Sequence, residues 1–188
     1  MGNKFFSTIE KNPIIAAVKD MKDLDSAINS PCRIIFLLDG DILNLKPTVK
    51  LLRDKDKLVY IHVDLMDGFS KDDIALKYIN REIKPDGIIT TKLNLVKSAK
   101  EMGLFVIQRL FLLDSLALRS GIDSIKTIRP NAVEILPGII PTIIEEIRQE
   151  TRIPVISGGL IRSKKDVIES LNSDAIGIST SNKDVWEM

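Results

Sequence analysis

The sequence has little cysteine, little histidine and few aromatic residues, and each shortage excludes a class of protein. Among its 188 residues there is one cysteine and one histidine, and aromatic residues make up 5%. The lone thiol of Cys32 can form neither an intrachain disulfide nor a thiolate metal cluster, which favours a reducing compartment. So few aromatic side chains, with none clustered on a strand, exclude a base-stacking platform for nucleic acid.

Long hydrophobic runs and an excess of one charge are also missing. The apolar runs, such as residues 34–38, are far shorter than the ~20 residues that span a bilayer, so we expect a cytoplasmic protein without a membrane partner. The 27 basic and 26 acidic residues leave a net charge of +1, which weighs against one broad basic surface for nucleic acid but leaves room for a local patch. The clearest basic run consists of Lys46, Lys50, Arg53, Lys55 and Lys57. Asp54 and Asp56 interrupt this run, which favours a solvated helix end over a nucleic-acid surface.

What the sequence does contain is a regular alternation of two patterns. Eight short runs rich in Ile and Val are nearly continuously apolar, which is typical of parallel strands covered on both faces. These runs are residues 14–18, 34–38, 58–63, 87–89, 104–107, 132–136, 154–156 and 175–178. Apolar residues at three- and four-residue spacing predict helices over residues 41–54, 72–83, 93–102, 114–128, 142–151 and 163–171. The alternation indicates an α/β fold with parallel strands.

Eight such units favour a closed barrel over an open sheet. The first predicted strand is followed by Lys19-Asp20-Met21, without the glycine-rich turn of a dinucleotide-binding sheet. Dividing 188 residues among eight units leaves 23.5 residues for each, and barrels usually begin at ~200 residues. We therefore predict that residues 1–188 form a single compact TIM-type (β/α)8 barrel with one or more shortened helices, over residues 20–30 and 182–188.

The carboxyl ends of the last two predicted strands carry a candidate phosphate site. Gly158 and Gly159 follow the seventh strand, and Ser179 and Thr180 end the eighth. Glycines let backbone N–H groups approach an anion, a helix starting near Ser181 would add its positive end, and barrels favour these two strands for phosphate. The alternative is a pair of tight turns without a ligand.

The next most specific local feature surrounds the single histidine. His62 and Asp64 are two residues apart at the end of the third strand, so both are expected to project towards the mouth of the barrel. The run IHVDLMDGF resembles the HxDxMDGxF signature of ribulose-phosphate 3-epimerases, in which this His and the first Asp bind a metal. Such a site needs a second His and an acid at the seventh strand, where this chain has Ser157. We therefore predict no metal, and a His62 that is either buried and hydrogen-bonded or in contact with a ligand.

Five more polar residues at strand ends are candidates for binding the hydroxyl groups of a ligand. They are Asp39, Lys92, Gln108, Arg109 and Glu134, together with His62 and Asp64. Glu134 can accept from ligand hydroxyls or pair with Arg109 or Lys92. Asp39 can instead cap the helix predicted to begin near Asp41.

Several motifs together resemble one family along nearly the whole chain, from about residue 12 to residue 186. IHVDLMDGF, EIKPDGIITTK, IQRLFLLDS, VEILPGIIP, PVISGGLIR and TSNKDVW, in this order, are similar to the glycerol-3-phosphate-responsive antiterminators, the glycerol uptake operon antiterminator regulatory proteins. The resemblance implies a cytoplasmic regulator on a TIM barrel. It would take glycerol 3-phosphate as its regulatory ligand, need no cofactor, bind the leader mRNA of glycerol-utilisation genes, prevent premature termination and catalyse no reaction.

The RNA-binding surface is the least determined part of this prediction. The basic residues nearest the predicted mouth loops are Lys71, Arg119 and Arg162, beside Lys92 and Arg109. The resemblance leaves a homo-oligomer open. A phosphosugar epimerase or isomerase of the ribulose-phosphate-binding type stays the alternative, and only Asp39, Asp64 and Glu134 could supply its acid and base.

Overall fold

Eight parallel strands close into one barrel in the order β1 to β8 in the computed structural model, which describes residues 2–188 and, for side chains, residues 4–188. The closing pair joins β1 to β8, with Ile15 opposite Ser179. The strands are β1 Ile14–Val18, β2 Ile34–Leu37, β3 Leu58–His62, β4 Gly87–Thr90, β5 Val106–Phe111, β6 Ala132–Leu136, β7 Val155–Gly158 and β8 Ala175–Thr180. The predicted (β/α)8 barrel is confirmed.

Helices surround the barrel, and three of those described have six residues or fewer. The α-helices among the described residues are α1 Gly2–Lys11, α2 Leu24–Asn29, α3 Leu45–Asp54, α4 Asp73–Tyr78, α5 Leu93–Glu101, α6 Ser115–Ile128, α7 Pro141–Thr151, α8 Lys164–Asn172 and α9 Lys183–Trp186. The six residues of α2 and the four of α9 confirm the predicted shortening after β1 and β8. No helix within residues 2–188 is both long and apolar enough to cross a membrane.

Helix α1 has no counterpart in the sequence-based prediction. Phe5 and Ile9 are buried and project from α1 into the amino-terminal end of the barrel. The Phe5 ring centroid lies 5.1 Å from that of Tyr60 and 4.9 Å from that of Phe105. A β-carbon on Gly177 would lie 2.3 Å from Ile9 Cδ1, so β8 needs glycine there to admit the helix. Side chains thus close this end of the barrel, and the polar strand ends lie at the other.

Two local predictions differ from the structure near the polar end of the barrel. Helix α3 begins at Leu45 and not near Asp41, because the Asp41 carboxylate accepts hydrogen bonds from the backbone of Leu43 and Asn44 and holds a turn there. Strand β5 continues to Phe111, beyond the apolar run predicted at residues 104–107, because it stays paired with β6 as far as Leu136.

Candidate functional site

A cavity of about 440 Å³ opens at the carboxyl ends of the strands, beside β7, β8 and β1. Polar and charged residues of its wall come from the ends of β1, β5, β6 and β8 and from the segments after β7 and β8. These are Lys19, Arg109, Glu134, Arg162, Ser179, Thr180, Ser181 and Asn182. The apolar part of the wall consists of Ala17, Leu38, Leu136, Leu160 and Ile161, with Gly159 between the two parts.

Three of the four predicted phosphate residues, Gly159, Ser179 and Thr180, line this cavity, and Gly158 precedes Gly159 at the end of β7. Gly159 has φ +69°, a conformation that side chains rarely adopt, and it turns the chain out of β7 along the cavity wall. Ser179 is buried and lines the cavity, and its hydroxyl makes no hydrogen bond within residues 4–188. A ligand in the cavity therefore has an available hydroxyl beside a glycine turn.

The Thr180 hydroxyl is already used within the protein. It donates to the Ile161 carbonyl at 2.9 Å and accepts from the Asn182 backbone at 3.1 Å. The short helix predicted near Ser181 begins at Lys183, and the Asn182 side chain caps it by accepting from the Asp184 backbone. Thr180 therefore shapes the turn after β8, and its side chain has no free donor for a ligand.

Gly158 is required by its contact with Glu134. A β-carbon at Gly158 would lie 2.9 Å from Glu134 Oε1, closer than real carbon contacts allow. Glu134 is buried, and its other carboxylate oxygen, Oε2, accepts from Arg109 Nε at 2.6 Å. Glu134 thus pairs with Arg109, one of the two partners proposed for it from the sequence.

His62 lies inside the barrel below this mouth, as predicted, but it has no hydrogen-bond partner at Nδ1 among the described residues. Burial and the nearby charge of Arg109 lower the pKa of His62 to about 4, so the ring is neutral near pH 7. His62 Nδ1 lies 4.0 Å from Asp64 Oδ2, beyond hydrogen-bond distance. The side chain remains able to accept or donate at a free ring nitrogen.

Both carboxylate oxygens of Asp64 accept hydrogen bonds from residues at the end of β4. Its carboxylate accepts from Thr90 Oγ1 at 2.8 Å, from the Thr91 backbone at 2.7 Å and from Thr91 Oγ1 at 2.9 Å. These hydrogen bonds hold the pKa of Asp64 below its usual range despite partial burial. Asp64 thus ties the 3₁₀ turn after β3 to the next strand.

Three other predicted ligand residues lie away from the cavity. Gln108 was expected at the mouth, but alternate residues of β5 face opposite sides and its amide donates to Ser124 of α6 at 2.8 Å, behind the strand. Asp39 does not cap α3, because its carboxylate accepts from the Met21 backbone after β1 at 3.0 Å. Lys92 is exposed before α5.

The cavity wall also contains two cations that were not assigned to the ligand. Arg162 was predicted as a candidate for RNA, and it lies in the wall with Lys19, the residue directly after β1. The position of Lys19 at a strand end was the signal that could have found it. Lys71 and Arg119 are exposed and lie outside the wall. The residues that the structure describes bring no three His, Cys, Asp or Glu side chains together in an arrangement for a metal ion.

Similar proteins were found at the level of both sequence and structure. A family model described as glycerol-3-phosphate responsive antiterminator matches residues 14–186. The glycerol uptake operon antiterminator regulatory protein from Listeria monocytogenes str. 4b F2365 is 38% identical, with a TM-score of 0.90 over 94% of this chain and 95% of that chain. A glycerol uptake operon antiterminator-related protein from Thermotoga maritima MSB8 is 35% identical, with a TM-score of 0.84 over 93% of this chain and 98% of that chain. The uncharacterized protein YgcP of Escherichia coli (strain K12) is 35% identical over 180 residues, which are 96% of this chain and 94% of the relative.

Proposed function

This chain belongs to the glycerol-3-phosphate responsive antiterminator family, and from that premise we propose that it is a cytoplasmic sensor of glycerol 3-phosphate. In its ligand-bound form it binds the leader mRNA of glycerol-utilisation genes and prevents premature termination, and it catalyses no reaction. The observation that supports glycerol 3-phosphate binding is the cavity, which is lined by Gly159 and Ser179 beside the Arg109–Glu134 pair.

The phosphate end of the ligand fits the side of the cavity formed after β7 and β8. Backbone N–H groups around Gly158 and Gly159, and the free hydroxyl of Ser179, supply hydrogen-bond donors to the phosphate oxygens. Lys19 and Arg162 in the same wall supply positive charge for a phosphate that is close to a dianion at pH 7. Thr180 contributes by shaping the turn. A neutral polyol gains none of the charge-assisted hydrogen bonds.

The hydroxyl groups of the ligand fit the part of the cavity lined by the Arg109–Glu134 pair, beside the glycine turn after β7. Glu134 Oε1 is an acceptor there, and the guanidinium of Arg109 has donors beyond the one that binds Glu134. A buried charged pair that still faces a cavity can orient a small polyol at modest cost, because its charges already neutralise each other. His62, with a free ring nitrogen deeper in the barrel, is a further contact for the polyol.

The same hydrogen bonds argue against the epimerase or isomerase alternative. Such chemistry needs a free general base and acid on opposite faces of the substrate. Of the three carboxylates that could serve, Asp39 accepts from Met21, Asp64 accepts from Thr90 and Thr91, and Glu134 is paired with Arg109. Each carboxylate thus makes hydrogen bonds that stabilise the fold and is not free to act as a general acid or base. This favours a binding protein over an enzyme.

Two measurements on the purified protein test the proposal. Calorimetry should show binding of glycerol 3-phosphate at one site and binding of glycerol weaker by at least about a hundredfold, the loss expected for two charge-assisted hydrogen bonds. Gel-shift titration with the 5′ leader transcript of a glycerol-utilisation operon should show tighter binding when glycerol 3-phosphate is present. Equal affinities for the two ligands would contradict the ligand half, and RNA binding indifferent to glycerol 3-phosphate would contradict the regulatory half.

A further inference from the structure

A second groove lies on the side of the barrel, away from the ligand cavity. It encloses about 620 Å³ between α3 and the helical turn that follows α4. Five cations and two carboxylates line it: Lys46, Lys50, Arg53, Arg81, Lys84, Asp54 and Glu82. The groove therefore carries a local charge of +3 on a chain whose net charge is +1.

The basic residues come from two helices that the fold places side by side. Lys46, Lys50 and Arg53 are four and then three residues apart on α3, so they share one face of that helix and extend about 10 Å along its axis. Arg81 and Lys84 come from the neighbouring segment. In the sequence, acidic residues interrupt the basic run at residues 46–57. In the structure, the second helical segment adds two more cations beside those of α3.

One residue of that run is not at the surface. Lys57 is buried, and its ammonium donates to the Ser30 carbonyl at 2.8 Å and to the Cys32 carbonyl at 2.7 Å. The sequence analysis grouped Lys57 with the other basic residues of the run. In the structure its two hydrogen bonds stabilise the amino-terminal end of the barrel instead. Of the other cations in the run, Lys46, Lys50 and Arg53 line the groove, and Lys55 is exposed outside its wall.

Contacts across the groove fix its two walls while leaving three cations free. Lys46 pairs with Glu82 at 3.1 Å, and Arg53 Nη1 donates to the Lys84 carbonyl at 2.9 Å. Lys50, Arg81 and Lys84 have no carboxylate oxygen within 4.0 Å among residues 4–188. These three cations are therefore available to bind an anion that enters the groove.

The second wall of the groove has an uncommon backbone. Residues Ile79–Ile83 form a π-helical turn, closed by the bond from the Lys84 backbone N–H to the Ile79 carbonyl, and Lys84 itself has φ +56°. Turns of this kind are rare and occur frequently at functional sites. Here the turn carries Arg81 and Lys84 on the segment that faces α3.

We infer that this groove holds the sugar-phosphate backbone of the RNA to which the protein binds, an inference that rests on the proposed function. Several unpaired cations along a concave path match the phosphates of a flexible strand better than a single small anion. The wall contains no aromatic residue, so the groove has nothing on which bases can stack. The groove therefore contributes RNA affinity that depends on the salt concentration and not on the RNA sequence. Recognition of the bases is made by other residues.

A pair of matched variants tests this inference. The first combines Lys50→Gln, Arg81→Gln and Lys84→Gln in the groove. The second, called the mouth variant, combines Lys71→Gln and Lys92→Gln after β3 and β4 with Arg119→Gln in the first half of α6, so that the net charge falls by three in both. All six side chains are exposed, and glycerol 3-phosphate calorimetry on both variants checks that the fold and the cavity are intact.

Leader RNA affinity is then measured at several salt concentrations with saturating glycerol 3-phosphate. The groove variant should bind at least about tenfold more weakly at moderate salt, and its slope of log affinity against log salt should be shallower by about 2, since each contact to a single strand contributes about 0.7. An unrelated RNA should lose affinity by the same factor, because the groove does not read sequence. The mouth variant should lose less.

Each contrary outcome has a distinct meaning. If the groove variant binds RNA as tightly as the unchanged protein, the inference is overturned while the proposed function stands, and the groove suits another polyanion such as an acidic protein surface. If the mouth variant loses more affinity than the groove variant, the RNA surface lies at the mouth. If the unchanged protein binds no leader RNA with or without the ligand, the proposed function itself fails and the inference fails with it.

Discussion

Arg109 Nε lies 2.6 Å from Glu134 Oε2 inside the barrel, on the neighbouring strands β5 and β6, and both side chains are more than nine-tenths buried. The two charges therefore depend on each other. Removing one leaves an uncompensated charge in a site with little water, whereas removing both leaves none. The pair also lines the cavity at the carboxyl ends of the strands.

This relationship predicts different effects on stability and on binding. Arg109→Met and Glu134→Leu should each lower the free energy of unfolding by about 3 to 5 kcal/mol, and the double variant should lose much less than the sum. Glycerol 3-phosphate binding should be lost in all three, because the hydroxyl contacts are gone. Denaturant titrations and calorimetry measure the two effects. A double variant that binds the ligand normally would show that the pair serves stability alone.

Ser179 provides a more local test of the phosphate side of the cavity. Ser179→Ala removes a buried hydroxyl that has no partner within residues 4–188, so stability should change by less than about 1 kcal/mol. Affinity for glycerol 3-phosphate should fall by about tenfold or more, because a hydrogen bond to a charged oxygen is lost. Calorimetry checks this, with Ser120→Ala on the exposed surface of α6 as the control. A ligand affinity unchanged in Ser179→Ala would place the phosphate elsewhere.

The sequence predicted the barrel, and it predicted only some of the residues that line the cavity. Eight apolar runs and their spacing determine the strands, because burial on both faces leaves a strong signal. Whether the Gln108 side chain points into the barrel or towards α6 depends on which alternate residues of β5 face inwards. A strand that is buried on both faces has no alternation of polar and apolar residues that would predict this. Helix α1 was missed because only Phe5, Phe6 and Ile9 mark its apolar face in a short polar segment.

A charge cluster formed by two helices that are far apart in the sequence cannot be predicted from the sequence pattern alone. Arg81 and Lys84 are about thirty residues from Lys50 and Arg53, and only the adjacency of α3 and the π-helical turn places them in one groove. The same holds for the cavity, where Lys19 and Arg162 come from the opposite ends of the sequence. Strand order could predict that such loops are neighbours, but not which long side chains turn towards each other.

The packing of α1 predicts a stability effect without a binding effect. Phe5→Ala should lower the free energy of unfolding by about 3 to 5 kcal/mol, since it empties a fully buried position between Tyr60 and Phe105. Affinity for glycerol 3-phosphate should not change below the unfolding transition, because the cavity is at the opposite end of the barrel. Leu113→Ala, at an exposed position, is the control for stability. A loss in Phe5→Ala no larger than that control would show that α1 does not close the barrel in solution.

His62 predicts how stability depends on pH. Its pKa is about 4 in the folded protein and about 6.5 in an unfolded chain, so the unfolded state binds more protons between these values. Stability is therefore fully present above about pH 6.5 and is lost as the pH falls towards 4, by up to about 3 kcal/mol. Since the chain has no other histidine, His62→Gln should remove most of this slope. Urea titrations from pH 4 to pH 8 measure it, and an equal slope in both proteins would assign the effect to other groups.

The last prediction concerns how the ligand controls RNA binding. A chain with a net charge of +1 has little nonspecific attraction to RNA, so binding depends on a few correctly placed cations that a ligand can align. Linkage then requires reciprocity. If glycerol 3-phosphate tightens leader RNA binding by a factor of about 5 to 150, saturating RNA must tighten glycerol 3-phosphate by the same factor. Titration of each ligand in the presence of the other measures both factors.

Asp39 is a candidate for a residue that couples the two sites. Its carboxylate accepts from the Met21 backbone, in the segment that follows the cavity residue Lys19, and the adjoining Gly40 leads towards α3 and the groove. If this hydrogen bond couples the sites, Asp39→Ala should reduce the reciprocal factor and leave the affinity for each ligand alone nearly unchanged. A fall in glycerol 3-phosphate affinity without RNA would instead make Asp39 a ligand contact. A reciprocal factor equal to that of the unchanged protein would show that the coupling runs through other residues.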